Sequence, residues 1–425
     1  MPEVSLEDVL RAREERVMHQ QDMLNRHHRP LVCFTMNIAG PVKVNEETAY
    51  AFRVGSVRLL EGLKTMGFDV LEKQDISSAA GYGIILSVDA PAGAVKKLCV
   101  SLEELDPLGR LFDMDVISEN GEKLDRDHER CCLVCGQAGR GCASRRIHSV
   151  EQIQQVTWQL IRDHRTQAES EQIARLAVQS LLDEVCVTPK PGLVDRIDQG
   201  SHRDMDIFTF NASAAALESY FRKCYLSGVR DRGESAGTAF GHLQTLGIEA
   251  ERVMRTVTQD VNTHKGAIYT LGLMCGAAGM TEKADLQAWM DTVAMLAGVN
   301  RAHGVRAEAA DGLPSVRKIG IPVLQKAREQ GLSLNDQCLN VLLHLLAEVR
   351  DTNMIARGGE KAALSSREQA GQWLQVLESE VSEMSLTEIM NMLNRQYIRD
   401  NLSPGGCADL LAATLLADRW LHEQA

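Results

Sequence analysis

At 425 residues the chain is long enough for two or three domains, and a 44% hydrophobic content supplies sizeable cores. Its net charge of −12 excludes a general nucleic-acid binder, which needs a positive field, but leaves room for a small phosphorylated ligand held by a local cluster of bases. No apolar run approaches the ~18 residues of a membrane span. The charged, amphipathic start lacks the apolar region of a signal peptide. Eleven cysteines, an odd number and mostly scattered, suit a reducing cytoplasm without a disulfide framework.

Ser5 is a good N-cap for a helix running to about Leu24, with Asp8 completing a variant capping box. The stretch LVCFTMNIAGPVKV starts β-rich and breaks at Gly40-Pro41. Asn45 to Met66 reads as a helix with Val54, Val57, Leu60 and Leu63 on one stripe. Short strands are expected at FDVLEKQ and YGIILSV, a short helix at Ala94 to Leu105, and the best strand at Arg110 to Ser118. This alternation predicts a small α+β domain. In the last strand Asp113 and Asp115 are two apart and share a face, while Phe112, Met114 and Val116 point into a core. Adjacent carboxylates repel unless a cation lies between them, as Mg²⁺ does when it carries a nucleoside triphosphate. On spacing alone the plainer reading, an exposed strand face with two harmless acids, prevails.

Next comes CCLVCGQAGRGCASRRIH. Cys132, Cys135, Cys142 and His148 have ligand types that suit structural zinc, and Gly136, Gly139 and Gly141 could shape a knuckle. The competing reading is a basic loop, Arg140, Arg145, Arg146 and His148, that meets phosphate. Ser149 to Arg162 is an amphipathic helix that could close this domain, and the polar run His164 to Gln172 is the expected boundary. Beyond it the pattern is helical with no convincing strand. The layout is therefore multidomain: an α+β domain over 1–165 and an all-α domain over 170–425.

Polar knots punctuate the helical half. Val187 to Asp206 holds Lys190 between two prolines, then Gly192, Asp195, Arg196, Asp198, His202, Arg203, Asp204 and Asp206. A polar loop gripped between core-forming segments is more often a site than a linker. Asn262, His264, Lys265 and Gly266 form a second knot, on a helix whose Gly272, Gly276 and Gly279 let a neighbouring backbone approach. His303, Arg306 and Glu308 form a third, and Asp351, Asn353 and Arg357 with Gly358-Gly359 a fourth. The fifth, Asn401 to Asp409, brings Gly405 and Gly406 to a helix start whose amides can hold an anion. Each alone is an ordinary cap or turn. Five in one helical domain are expected to converge at one end of a bundle around a phosphate-rich, metal-bound ligand.

TPKPGLVDRIDQGSHRDMD, VNTHKGAI, HGVRAE, DTN with its RGG, and NLSPGG together resemble the triphosphoribosyl-dephospho-CoA synthase family, over roughly the last three-fifths of the chain. Ala307 and Cys407 stand where that pattern usually has glycine and serine. FTMNIAGPVK, PLGRLFDMDVI and the CLVC to RRIHS run resemble the apo-citrate lyase phosphoribosyl-dephospho-CoA transferases. The resemblance implies a fusion of two enzymes acting in sequence. The first would join ATP and 3′-dephospho-CoA with loss of adenine. The second would pass the product to a serine of the apo-citrate lyase acyl carrier (gamma) subunit with loss of pyrophosphate, so the N-terminal domain would be nucleotidyltransferase-like. It supports Mg²⁺ at Asp113 and Asp115 in one domain, and for that chemistry residue type assigns Mg²⁺ to Asp204 and Asp206 in the other, with Asp195 a further candidate. Lys190, Arg203, His264 and Lys265 would neutralise phosphate, Arg110, Asn262, Arg306, Asn353 and Arg357 would bind substrate, and Glu308 or Asp351 would be the base for the 2′-hydroxyl. Two other readings are a non-catalytic protein that delivers the acyl carrier subunit and a zinc-knuckle nucleic-acid regulator. The net charge and the lack of a basic, aromatic-studded strand count against the second.

Overall fold

A five-stranded antiparallel sheet organises the first of two units, Met1–Arg165 and Thr166–Ala425. The structure is a computed structural model that describes residues 4–137, 139, 142, 145–281, 285–301, 303–379 and 384–424. Arg140 and Gly141, named above for the cysteine run, lie outside the described residues. The strands are β1 Leu31–Met36, β2 Asp69–Asp75, β3 Gly83–Asp89, β4 Phe112–Ile117 and β5 Lys123–Leu124, in the order β2-β3-β1-β4-β5. Helices α1 Leu6–His27, α2 Glu46–Thr65 and α3 Ala92–Glu104 accompany them. Ser5 and Asp8 make the expected capping box at the start of α1, and Asn45 with Thr48 makes another at α2.

Alternation gives the sheet two different faces. Val32, Phe34, Leu86, Phe112, Met114 and Val116 pack with Leu59 and Leu63 of α2 and Val95 and Cys99 of α3. Leu31, Cys33 and Ile85 pack on the other side with Met23 of α1. Residues directly opposite in an antiparallel pair share a face. Asp115 pairs with Cys33 and Asp113 with Thr35, so both carboxylates project on the α1 side. The buried stripe of α2 is Thr48, Ala51, Gly55, Leu59 and Leu63, while Val57 is exposed. Of the expected stripe, Leu63 is buried and Val54 and Leu60 pack partly against the same core, and the Phe34 ring fills the place a side chain at 55 would take.

The helix expected over Ser149 to Arg162 runs instead from Val150 to Cys186 as α4, straight through the expected boundary. His164 to Gln172 is polar, but it contains neither glycine nor proline and is rich in good helix formers. Polarity there marks a solvated helix, not a linker.

The second unit is helical, with no strand among its described residues. Its helices are α5 Ile207–Ala216, α6 Glu218–Arg230, α7 Ala236–Val257, α8 Lys265–Met280, α9 Leu286–Gly298, α10 Val305–Ala310, α11 Ile321–Glu329, α12 Leu334–Glu348, α13 Thr352–Glu378, α14 Leu386–Arg399 and α15 Gly405–Gln424. A short π turn, Val316–Gly320, leads into α11, and α13 breaks its helical geometry at Gly359, φ 77°. α8 is buried on nearly every side. It meets α6 backbone to backbone, with Gly228 against the Gly276 carbonyl and Gly279 against the Tyr225 carbonyl. Only residues without a Cβ permit that approach. No helix is long and apolar enough to cross a membrane among the described residues.

Candidate active sites

The loop from Val187 to Asp206 is far more buried than its charge suggests. Lys190 is 1% exposed and ion-pairs with Glu184 near the end of α4, itself buried. Burial pushes the Glu184 carboxyl up, against the pull of Lys190. Asp195 is the staple of the loop. Its Oδ2 accepts from Thr188 Oγ1 at 2.7 Å and from the Lys190 amide at 3.1 Å. Its Oδ1 accepts from the amides of Ile197 and Asp198 at 2.7 and 2.9 Å. The sequence thus folds a charged stretch inward because its carboxylates satisfy the loop's own amides.

Asp351, also buried, ties two helix starts together. Oδ1 accepts from the amides of Asn353 and Met354 at 2.7 and 3.2 Å, at the head of α13. Oδ2 accepts from the Cys407 amide at 2.9 Å, at the head of α15. Burial nevertheless holds its carboxyl above the usual range. The double glycine before Cys407 is required by this closeness. A Cβ on Gly406 would sit 2.9 Å from Asp351 Oδ2, and one on Gly405 would sit 2.7 Å from Asn353 Nδ2. A Cβ on Gly266, at the head of α8, would overlap Asp409 Oδ2. Burial, then the charges of Glu184 and Asp351, pushes the Asp409 carboxyl well above its ordinary range, against a hydrogen bond from the Ala267 amide.

These groups line one cavity of about 850 Å³. It brings together Lys190, Asp204, Asn262, His264, Lys265, Arg306, Glu308, Asp351, Asn353, Arg357, Gly405 and Gly406, one or more from every polar knot. His264 is buried, and burial followed by the charge of Lys190 pushes its imidazole down to about 3, so it is neutral. Its Nδ1 shares a 2.7 Å hydrogen bond with Ser213, while the buried Nε2 has no partner among the described residues. Arg306 lies over the Tyr269 ring, 5.6 Å from its centre. Arg357 donates to the Ser201 carbonyl at 2.8 Å and so braces the loop as well as facing the cavity. Glu308 Oε1 accepts from the Ser315 amide at 2.7 Å, and its other oxygen has no hydrogen bond among the described residues.

Three expected residues stand apart. Asp195 is consumed by its loop. Asp206 is the N-cap of α5, its Oδ1 accepting from the amide and hydroxyl of Thr209 at 2.9 and 2.8 Å. Arg203 is exposed and does not line the cavity. Sequence reading missed Glu184 and Tyr269, and gave Asp409 no role although it closes the fifth knot. Glu184 was hidden in the apolar run LLDEV, and Asp409 in the opening of an apolar helix. The available signal was an acid at the edge of a segment otherwise fit for a core, which burial makes costly unless it is partnered.

The first unit has its own cleft, about 1190 Å³, lined by Asp113, Asp115, Lys96, Arg110, Lys123, Arg130, Arg146 and part of the cysteine run. Burial, then the charge of Asp115, pushes the Asp113 carboxyl up. Asp115 accepts from Lys123 Nζ at 2.6 Å, so one lysine already partly offsets the pair. Arg110 lies in the 3₁₀ turn Leu108–Leu111 that precedes β4, not in the strand, and it donates to the Cys131 carbonyl. Arg145 is exposed and lies off the cleft. Cys132, Cys142 and His148 line it, and Cys135 clusters with them. Buried Glu103, unnoticed in the sequence, accepts from the Met114 amide at 2.7 Å and pairs with Arg130.

Comparison with known proteins matches each unit separately. Residues 4–164 match the family described as apo-citrate lyase phosphoribosyl-dephospho-CoA transferase. Residues 170–302 and 290–425 match ATP:dephospho-CoA triphosphoribosyl transferase. The chain is 31% identical to "Protein CitXG" of Haemophilus influenzae, over 97% of this chain and 95% of that protein. It is 30% identical to the protein of the same name from Leuconostoc mesenteroides subsp. cremoris, over 98% and 97%. A "Probable 2-(5''-triphosphoribosyl)-3'-dephosphocoenzyme-A synthase" of Vibrio cholerae is 38% identical over 57% of this chain and 86% of its own length. The chain therefore belongs to the ATP:dephospho-CoA triphosphoribosyl transferase family, in the form that carries an apo-citrate lyase phosphoribosyl-dephospho-CoA transferase region ahead of it in one polypeptide.

Proposed function

We propose that the Thr166–Ala425 unit joins ATP to 3′-dephospho-CoA, releasing adenine and leaving 2′-(5″-triphosphoribosyl)-3′-dephospho-CoA. The Met1–Arg165 unit, a nucleotidyltransferase-like domain on this reading, passes that product to a serine of the apo-citrate lyase acyl carrier subunit and releases pyrophosphate. The observation that carries the reading is the meeting of all five polar knots at one cavity, within the stretch that matches the triphosphoribosyl transferases.

In the first step the 2′-hydroxyl oxygen attacks the ribose carbon that bears adenine. The carbon–nitrogen bond breaks and its electron pair leaves with adenine. The hydroxyl proton goes to a base and is returned to the departing adenine, which leaves neutral. Glu308 suits that role better than Asp351, because Asp351 already accepts three amides while Glu308 keeps one oxygen open. Lys265, Arg306 and Arg357 meet the triphosphate, with Lys190 adding positive charge from below. Asn262, Asn353, the unpartnered Nε2 of His264 and the amides of Gly405 and Gly406 supply hydrogen bonds. Among the carboxylates that line the cavity, Asp204 and Asp409 would hold Mg²⁺, which commonly takes one or two carboxylates and completes its shell with water and substrate phosphate. Asp113 and Asp115 fit it likewise in the other unit. The ion's contribution there would be to neutralise charge on the phosphates.

The test uses the whole chain. Mixed with ATP, Mg²⁺ and 3′-dephospho-CoA, it should release free adenine, seen by chromatography. Adding the apo acyl carrier subunit should then raise that subunit's mass by the prosthetic group. No adenine from protein that is folded and magnesium-replete would overturn the reading.

A further inference from the structure

The cysteine run at the wall of the N-terminal cleft is not used by either reaction. The Sγ atoms of Cys132, Cys135 and Cys142 and a ring nitrogen of His148 all lie within 4.8 Å of one another. Cys135 and Cys142 sulfurs are 3.4 Å apart. With zinc–sulfur bonds near ~2.3 Å, the edges of a tetrahedral site are roughly 3.8 Å, so only a small contraction separates the four atoms from a coordination shell.

The backbone has the form such a shell needs. The Cys132 amide donates to the Gln137 carbonyl at 2.6 Å, turning the chain back on itself around the pair of cysteines. The Gly136 amide returns to the Cys132 carbonyl at 3.0 Å, with Gly136 at φ 72°, a conformation that favours glycine. Gly139 donates to the Arg130 carbonyl at 3.0 Å, and a Cβ there would come within 2.6 Å of that oxygen. An independent observation points to a ligand. The Nε2 atom of His148 is buried without a hydrogen-bond partner among the described residues. An orphaned nitrogen costs the desolvation of a polar group unless something coordinates it. Between Leu124 and Val150, Leu133 alone among the described residues packs against the apolar core. Apolar burial is too slight to hold this segment, which is the usual circumstance of a structural metal.

We propose that Cys132, Cys135, Cys142 and His148 bind one Zn²⁺ in a closed, four-ligand site that fixes the wall of the cleft containing Asp113 and Asp115. Four protein ligands leave no open position for a reacting group, so the ion is structural. The wall it fixes begins at Arg130, which donates to the Phe112 carbonyl at 2.7 Å, the residue before Asp113. Arg146, two residues ahead of the histidine ligand, faces the same cleft. The site would thereby hold both arginines against the carboxylate pair.

The full-length protein, purified without chelators, should carry about one equivalent of zinc by elemental analysis. Exchange for Co²⁺ should give the visible absorption of a tetrahedral centre with thiolate-to-metal bands. His148→Cys should retain the metal, and a Cys135→Ser, Cys142→Ser double variant should lose it. Resting further on the proposed function, zinc removal should depress transfer of supplied triphosphoribosyl-dephospho-CoA to the carrier at least tenfold and leave adenine release unchanged. Wild-type protein with under about a tenth of an equivalent, or an anaerobic preparation with a Cys135–Cys142 disulfide, would overturn the site. These metal readouts need no enzyme activity, so they stand or fall separately from the proposed reactions.

Discussion

Glu308 and His264 show how far residue type alone reaches. Both were legible as site residues because each sits in a polar knot beside a glycine or a base. Which proton each handles was not, since that depends on partners contributed by distant segments. Glu308 has one oxygen open to the cavity, so Glu308→Gln should lower the rate of adenine release by about 10²–10⁴-fold while nucleotide binding persists. A single-turnover adenine assay beside a nucleotide-binding titration separates the two, and an unchanged rate would return the base to another carboxylate. His264 gives a pH signature. Its imidazole is held down to about 3 in the fold, against about 6.5 in an unfolded chain. The unfolded state thus takes the proton first as pH falls. The stability His264 contributes is present above about pH 6.5 and drains away as pH drops toward 3, at no more than about 1.4 kcal/mol per pH unit. Urea titrations between pH 7.5 and 5 should show His264→Gln losing stability less steeply than the natural protein. Parallel slopes would contradict the buried neutral imidazole.

At the scale of elements the reading was good where periodicity and caps decide and poor where long-range contacts do. Strands β1 to β4 of the first unit and the capped starts of α1 and α2 follow from local signals, whereas the two-residue β5 was not expected. The length of α4 does not, because a polar run without breakers is as compatible with helix as with linker. Asp206 is the sharpest case. It looks like a metal ligand beside Asp204, yet it precedes a helix and serves as its N-cap. Asp206→Ala should lower the melting temperature and leave adenine release per folded molecule intact, with the same dependence on Mg²⁺ concentration as the natural protein. Gly266→Ala should do the reverse of a cap change. Its Cβ would enter the space of Asp409, an overpacking of about 1–3 kcal/mol, and adenine release should fall more than the fold suffers. Measuring both variants for melting temperature and adenine in parallel checks the contrast. Equal activity losses would put Asp206 back in the cavity.

For the whole molecule, two cavities lie in two separately matched regions, and that division was visible in the change from mixed strands and helices to helices alone. That five knots spread over more than two hundred residues meet in one place was expected from their number in one helical domain; which residue of each knot faces the cavity was not legible, since that depends on contacts between distant segments. If the two chemistries occupy the two units, single substitutions should separate them. Asp113→Asn should abolish labelling of the apo acyl carrier subunit and leave adenine release at the natural rate. Glu308→Gln should still label the carrier from supplied triphosphoribosyl-dephospho-CoA. Loss of adenine release on Asp113→Asn would break the assignment.

The Asp351 carboxylate, which receives amides from the heads of both α13 and α15, has a consequence for selectivity. Two walls riveted to one side chain cannot yield separately. A nucleotide entering between them meets a mould, and little of its binding energy is spent on ordering the protein. On the proposed function such a pocket should select by refusal: a base or sugar of the wrong outline would be turned away at the two walls that Asp351 ties together.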